Sequence, residues 1–297
     1  MEKLMDLHMH SYYSDDGEFS PEELVRQCAM SGIRVMSIAD HNSVRANDGG
    51  RQAARRAGIR YVSGIEIDCT FRGVNLHVLG YGFDDTSDDF ADIEDNISSQ
   101  AATASRQMLC ATRKMGFDVT EEDMEELAGD YYWKDRWTGE MFAEVLLGRE
   151  EYKDHPLLLP YREGGARGDN PYVNFYWDFY SQGKCCYVKL EQAVDIIHRN
   201  GGYAVLAHPG VNLKDCGELL DPILEAGVDG IEAFSSYHSE EQAGFYHKAA
   251  RGRFRMITCG SDYHGKTKPS ISIGGHGCTV PYEEMVRQLE RILGENG

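Results

Sequence analysis

The chain has 297 residues, 41% hydrophobic and 27% charged, and 30 Lys and Arg against 49 Asp and Glu give a formal net charge of −19. That length fits one large α/β domain or a domain with an insertion, and either can bury a sizeable core. The negative field argues against long nucleic acid as a partner but leaves a small phosphorylated substrate open, because bound cations invert local electrostatics; no apolar run is long enough for a membrane span.

Residues 3–8 read as a first strand. Ser20-Pro21-Glu22-Glu23 opens a helix, with a capping serine, proline at the first position and acids in the first turn. It runs to about Met30 and stops at Ser31-Gly32. A second strand covers 33–39, a helix over 43–57 ends at Gly58, a third strand covers 59–66 and a fourth 75–82. Strand–helix–strand units of this length predict a parallel sheet or barrel.

From about 88 to 185 the periodicity turns helical, over 93–115, 120–127 and 141–147. A loop-like stretch follows, from His155-Pro156 to Asn170-Pro171, and then an aromatic patch of Tyr172, Phe175, Tyr176, Trp177, Phe179 and Tyr180. This block reads as a helical insertion hanging over the active site. Alternation resumes with a helix over 191–199, a strand over 203–208, a helix over 218–226 and a strand over 228–234. A helix over 240–251, a strand over 254–260 and a helix over 282–293 close the chain. The predicted division is a discontinuous barrel of residues 1–87 and 186–297, interrupted by the insertion at 88–185.

Met1-Glu2-Lys3 leads straight into a strand, so no signal peptide is expected. The eight cysteines (Cys28, Cys69, Cys110, Cys185, Cys186, Cys216, Cys259 and Cys278) include no C-x-x-C pair. Reduced thiols in a cytoplasmic protein are the expectation.

The chemistry concentrates at strand ends. His8 and His10 are two apart on a strand, so both side chains leave one face. Asp262 and His264 repeat that relation after the last strand, and in a closed barrel the first and last strands are neighbours. Asp15 follows His10 in a polar loop, His41 and Glu66 follow apolar strands, His77 lies near the start of one, and His208 ends Ala204-Val205-Leu206-Ala207. These six histidines and three acids are nine candidate ligands. Imidazoles and carboxylates without thiolates suit several hard or borderline divalent cations. Asp40 and Asp229 read instead as capping or orienting acids. No G-x-S-x-G elbow is present.

In this order, over residues 1–87 and about 186–297, the motifs resemble the PHP family (polymerase and histidinol phosphatase), relatives of the amidohydrolases. The resemblance implies a distorted (β/α)7 barrel carrying three divalent metal ions, manganese, iron or zinc. It implies that His8, His10, Glu66 and Asp262 hold the first, Asp15, His41 and His264 the second, and His77 and His208 the third, with Glu66 bridging first and third. Asp15-Asp16 leaves a choice of acid, and the spacing from His10 favours Asp15. The expected reaction is attack on phosphorus by a hydroxide held between two cations, which lower the pKa of bound water. Asp262 and His238 are the candidate catalytic residues; His238 could serve as an acid or a phosphate donor, or lie at the surface. Lys266 and Lys268 are candidates for phosphate pairing, and Arg162 and Arg167 could reach a second phosphate. The aromatic patch is either a lid over a sugar or base or the core of the insertion.

Small-molecule phosphoester hydrolysis leads. One branch of the family hydrolyses the 3′-phosphate of nucleotide 3′,5′-bisphosphates; another opens a cyclic sugar phosphate and then removes the phosphate. The chain has Asp40-His41-Asn42-Ser43-Val44, where many nucleotidase-like members have Asp-His-Asp-Thr. It has His208-Pro209-Gly210-Val211, where such members often carry arginine after the glycine. These departures favour the cyclic phosphate, including phosphoribosyl 1,2-cyclic phosphate, with histidinol phosphate weaker. A nucleic-acid exonuclease or accessory module and a non-catalytic binding protein are the alternatives of other classes. The sequence leaves the oligomeric state open.

Overall fold

The computed structural model describes residues 4–14, 16–129, 132, 134–181, 186–253 and 255–290. Among these residues nine strands form two sheets. Strands β1 (Met5–Asp6), β2 (Val35–Met36) and β3 (Arg60–Tyr61) make a parallel sheet in the order β1-β2-β3. Strands β4 (Gly64–Phe71), β5 (Val74–Tyr81), β6 (Val188–Lys189), β7 (Tyr203–Leu206), β8 (Gly230–Ser235) and β9 (Met256–Gly260) make the second, in the order β6-β4-β5-β7-β8-β9. The two sheets are joined at both ends. Beyond β1, Leu7 N–H donates to Cys259 O at 3.1 Å and Asp262 N–H donates to His8 O at 2.7 Å. Beyond β2, Glu66 N–H donates to Asp40 O at 3.0 Å and Asn42 N–H to Glu66 O at 2.7 Å.

The helices begin where the sequence places its caps. Ser20 Oγ accepts from Glu23 N–H at 3.2 Å to start Pro21–Met30, and Gly58, at φ 70°, ends Ala46–Ala57. The expected all-parallel alternation fails at one place. β5 runs antiparallel to both β4 and β7. Arg72 and Gly73, at φ 49° and 84°, turn the chain in two residues, far too few for a crossover to a parallel strand. The expected third strand is also split: the ladder stops after β3 and resumes two residues later as β4.

The described residues between 88 and 181 hold four α-helices and no strand, with a long stretch of turns and two short 3-10 turns over 149–170 where the sequence reads as loop. Helices Asp89–Lys114, Glu121–Ala128, Gly139–Gly148 and Pro171–Phe179 pack around their own core, which draws its buried residues only from 109–180. Phe175 is fully buried there with Tyr180 beside it, and Tyr172, Tyr176 and Phe179 pack against them, so most of the aromatic patch belongs to this core, while Trp177 is exposed. Helices Leu190–Arg199, Leu220–Glu225 and Glu240–Gly252 cover the second sheet, and Tyr282–Gln288 closes the described chain. Among the described residues no helix is long and apolar enough to cross a membrane.

Candidate metal centre

Four strand ends and two loops bring the candidate ligands to one point. His8 and His10 follow β1 with Met9 between them buried on the other side, and the bridge of Met9 to Tyr263 sets this stretch beside the one carrying Asp262 and His264. Glu66 and Asp68 are two apart on β4 and share a face. His77 is the register partner of Asp68 on β5, and His41 bridges Glu66 from the end of β2. His208 follows β7, and Glu232 lies on β8. The strands crowd so closely that a Cβ at Gly260 would stand 2.2 Å from His8 Cβ and 2.7 Å from Glu232 Oε1. Apart from Arg72 in the hairpin turn, the described non-glycine residues at positive φ are Asn42, His208 and Asp262, at 55°, 20° and 57°. Backbone strain is thus gathered at the cluster.

The Glu66 carboxylate is its centre. Oε2 lies 3.0 Å from His8 Nε2 and 3.3 Å from His10 Nε2; Oε1 lies 3.0 Å from both His77 Nδ1 and His208 Nε2. Asp262 Oδ1 lies 3.0 Å from His10 Nε2 and 3.2 Å from His8 Nε2, and Asp16 Oδ2 lies 3.0 Å from His264 Nε2. Three sets of donor atoms each fall within 4.8 Å of one another: His8, His10, Glu66 and Asp262; His10, Asp16, His41 and His264; and His41, Glu66 and His77.

The donors suit cations. His8 Nδ1 is 2.9 Å from Glu232 Oε1, His264 Nδ1 is 2.7 Å from the Asp262 carbonyl, and His208 Nδ1 is 2.9 Å from Asn212 Oδ1. Each of these bonds takes the one proton of a neutral imidazole. The opposite nitrogen then turns a lone pair on a carboxylate at 3.0 Å, a repulsive contact unless positive charge lies between them. Metal-ligating histidines are held in this way. Asp16 Oδ1 adds a buried oxygen with no hydrogen-bond partner among the described residues. Positive charge at the donors keeps the acids ionised: burial pushes Glu66 up, but charge on His8, His41 and His77 outweighs it and holds the carboxyl well below the usual range, a role that a shared cation takes over when these imidazoles are neutral. Burial likewise opposes ionisation of Asp262, and Lys268, His264 and His8 overcome it.

Of the nine expected ligands, His8, His10, His41, Glu66, His77, His208, Asp262 and His264 converge here. Asp15 lies outside the described residues, and Asp16 is the acid within reach of His264. Sequence reasoning missed Asp68, whose Oδ1 lies 3.1 Å from His41 Nδ1 and 3.4 Å from His77 Nε2. It also missed Glu232, which accepts from the His208 backbone N–H at 2.8 Å as well as meeting His8. Tyr237, missed as well, donates its hydroxyl to Asp262 Oδ2 at 2.6 Å.

The candidate substrate residues separate. Lys268 reaches the cluster, its Nζ 3.0 Å from Asp262 Oδ2 and 3.2 Å from His264 Nε2. Lys266, on the 3-10 turn before it, faces the other way and pairs with Glu144 of the insertion at 2.7 Å. Arg162 donates to the Leu147 and Tyr152 carbonyls and ties the insertion together, and Arg167 pairs with Asp178. Neither arginine makes a bond to the cluster in this arrangement. His238 donates from Nδ1 to the Ala233 carbonyl at 2.9 Å and accepts the Gly210 N–H at Nε2 at 3.0 Å. With both nitrogens committed to backbone, it has no proton poised for a leaving group; it braces the turn after His208. Asp40 orients, as expected, accepting from Ser11 N–H and Oγ–H. Asp229 does likewise, accepting from Ala204 N–H.

The sequence profile of the PHP domain matches residues 6–201. The chain is 29% identical to a phosphoribosyl 1,2-cyclic phosphate 1,2-diphosphodiesterase of Eggerthella lenta, over 88% of this chain and 94% of that one. It is 28% identical to a 5′-3′ exoribonuclease of Haemophilus influenzae, over 89% and 91%. It is 27% identical to a 3′,5′-nucleoside bisphosphate phosphatase of Chromobacterium violaceum, over 91% and 90%. Among solved structures, a Bifidobacterium adolescentis protein assigned as a metal-dependent phosphoesterase shares the fold, with TM-score 0.74 and 21% identity over 97% of this chain and 96% of that one.

Proposed function

The chain belongs to the PHP domain family and is a metal-dependent phosphoester hydrolase, and from that premise we propose that its substrate is a small cyclic sugar phosphate, opened as a diester and then dephosphorylated as a monoester. Phosphoribosyl 1,2-cyclic phosphate is the leading candidate. The observation that carries the hydrolase chemistry is the Glu66 carboxylate shared among imidazoles whose far nitrogens are already bonded. We read the joined sheets as a distorted (β/α)7 barrel with one reversed strand, and residues 88–185 as an insertion beside its mouth. A cavity of about 70 Å³ supports the second reading: its wall combines Asp16 and Gly17 of the ligand loop with Thr138, Glu140 and Met141 of the insertion.

His8, His10, Glu66 and Asp262 would hold one divalent cation and Asp16, His41 and His264 a second. His77 and His208 would hold a third with Glu66, and manganese, iron or zinc suits each set. When bound, the cations supply a water ionised near neutral pH and Lewis-acid charge for the phosphoryl oxygens. Glu232 orients His8 and the backbone at His208. Lys268 holds its proton, because Asp262, Tyr237 and Asp16 overcome the cost of its burial, and so presents a fixed ammonium to a phosphoryl oxygen. Burial and the Asp262 charge keep the Tyr237 proton at its hydroxyl. Each of the two steps consumes one water: the first opens the ring to a phosphomonoester, the second releases inorganic phosphate.

Two residues favour the cyclic substrate over a nucleotide bisphosphate. Asn42 is spent on Asp68, donating to Oδ2 at 2.8 Å and accepting its N–H at 3.0 Å. Val211 is exposed just after His208 and offers no charge for a second phosphate. The test is ³¹P NMR of the manganese-loaded protein with phosphoribosyl 1,2-cyclic phosphate, a 3′,5′-nucleoside bisphosphate and a short 5′-phosphorylated RNA. The proposal predicts that the cyclic signal gives way to a monoester and then to phosphate. Turnover of the bisphosphate or RNA alone overturns the cyclic assignment.

A further inference from the structure

A second set of metal-binding groups uses different residues and different chemistry. Cys259 on β9, His276 and Cys278 bring two sulfurs and an imidazole nitrogen within 4.8 Å of one another. Cys259 and His276 are buried and Cys278 is partly exposed, so one side of the set is open to solvent. The imidazole is set up as a ligand: Nε2–H donates to the Met5 carbonyl at 2.8 Å, which fixes the tautomer and leaves the Nδ1 lone pair toward Cys278. Among the described residues that lone pair accepts the Cys278 backbone N–H, at 3.1 Å. The contact with Cys259 draws the Cys278 thiol below its ordinary value.

We propose that Cys259, His276 and Cys278 form a separate thiolate site for one zinc-like cation, with solvent at the fourth position. Two thiolates and an imidazole select zinc over the harder cations suited to an imidazole and carboxylate centre. Binding releases the two thiol protons to solvent and changes no oxidation state. The cation ties together three stretches that already meet. Leu7 N–H donates to Cys259 O, His276 to Met5 O, and Gly274 N–H to Asp6 Oδ2 at 2.7 Å. The site therefore fixes the backbone from which His8 and Asp262 project, without touching the reacting atoms.

The experiment is a Co²⁺ titration of metal-free, reduced full-length protein, read by near-ultraviolet absorption. The His, Asp and Glu centre has no sulfur, so a thiolate-to-cobalt charge-transfer band reports this site alone. The expected band reaches the intensity of one thiolate-bound Co²⁺ per chain, survives Glu66→Gln and is lost in Cys278→Ser. Cys278 is partly exposed, so that variant keeps its circular dichroism even if Cys259→Ala misfolds. Absence of the band from the reduced wild-type protein at saturating Co²⁺ overturns the proposal, as does a full-strength band in folded Cys278→Ser.

Discussion

Glu66 Oε1 meets His208 Nε2 at 3.0 Å across 142 residues of chain, while the other oxygen of the same carboxylate faces His8 at 3.0 Å. One side chain on β4 therefore joins the two ends of the donor cluster. Glu66→Gln keeps the shape and removes the charge. It is expected to lower kcat/KM by at least about 100-fold, the upper range for losing even a supporting group of a metal site. Metal analysis should show fewer bound ions with circular dichroism unchanged; full metal content and activity would contradict the bridging role.

Glu232 makes a different prediction, because it contacts ligands and no expected substrate position. It sits on a strand whose six residues are all buried and holds His8 Nδ1 and the His208 N–H. Glu232→Gln should weaken metal binding by about 10–100-fold. Raising the manganese concentration should then recover most of the activity. Loss of kcat at saturating metal would show that Glu232 acts on the reaction itself.

Lys266 and Lys268 lie two residues apart and should behave oppositely. Removing Lys268, which faces Asp262 and His264, is expected to lower kcat by about 100–1000-fold, as for one transition-state donor. Lys266→Ala breaks an exposed pair with Glu144. Such pairs contribute about 0–1 kcal/mol, so turnover should change by only a few-fold. Steady-state kinetics of the two variants decides, and equal losses would refute the distinction.

Much of this site was legible in the sequence because His-x-His and Asp-x-His mark strand ends with period two, and eight of the nine expected ligands converge. The misses have physical causes. Asp15 lies outside the described residues, and Asp16 reaches His264 through a loop so tight that a Cβ at Gly17 would stand 2.0 Å from Ser11 O, a turn that residue spacing does not encode. Asp68 repeats the period-two signal from Glu66 but falls inside a strand, where no strand end draws notice. Glu232 was signalled by a lone acid in the buried run Gly230-Ile231-Glu232-Ala233-Phe234. The lysines differ because a 3-10 turn over Gly265–Thr267 points them apart. The reversed β5 follows from Arg72-Gly73, a hairpin signal hidden within what reads as a repeating strand–helix pattern.

His238 gives a pH prediction. Burial pushes its imidazole below the ordinary 6.5, and both nitrogens are bonded as the neutral form requires. The unfolded chain takes up a proton near 6.5 while the folded one resists, so this histidine leaves stability unchanged above that pH and reduces it as the pH falls below. Urea unfolding of wild type and His238→Gln from pH 8 to 5 should show the wild type losing more stability on the acid side. Parallel curves would contradict the neutral, backbone-bonded state.

The central claim is that the clustered imidazoles and carboxylates hold the cations on which phosphoester hydrolysis depends. Its most direct measurement is metal content and phosphate release on the same preparation, before chelation, after chelation and after manganese is restored. The account predicts two to three ions per chain at the imidazole and carboxylate centre, beyond any held by the thiolate set, loss of ions and turnover together, and recovery of both. Turnover that persists in protein shown to be metal-free, or none with the sites fully loaded, would contradict it.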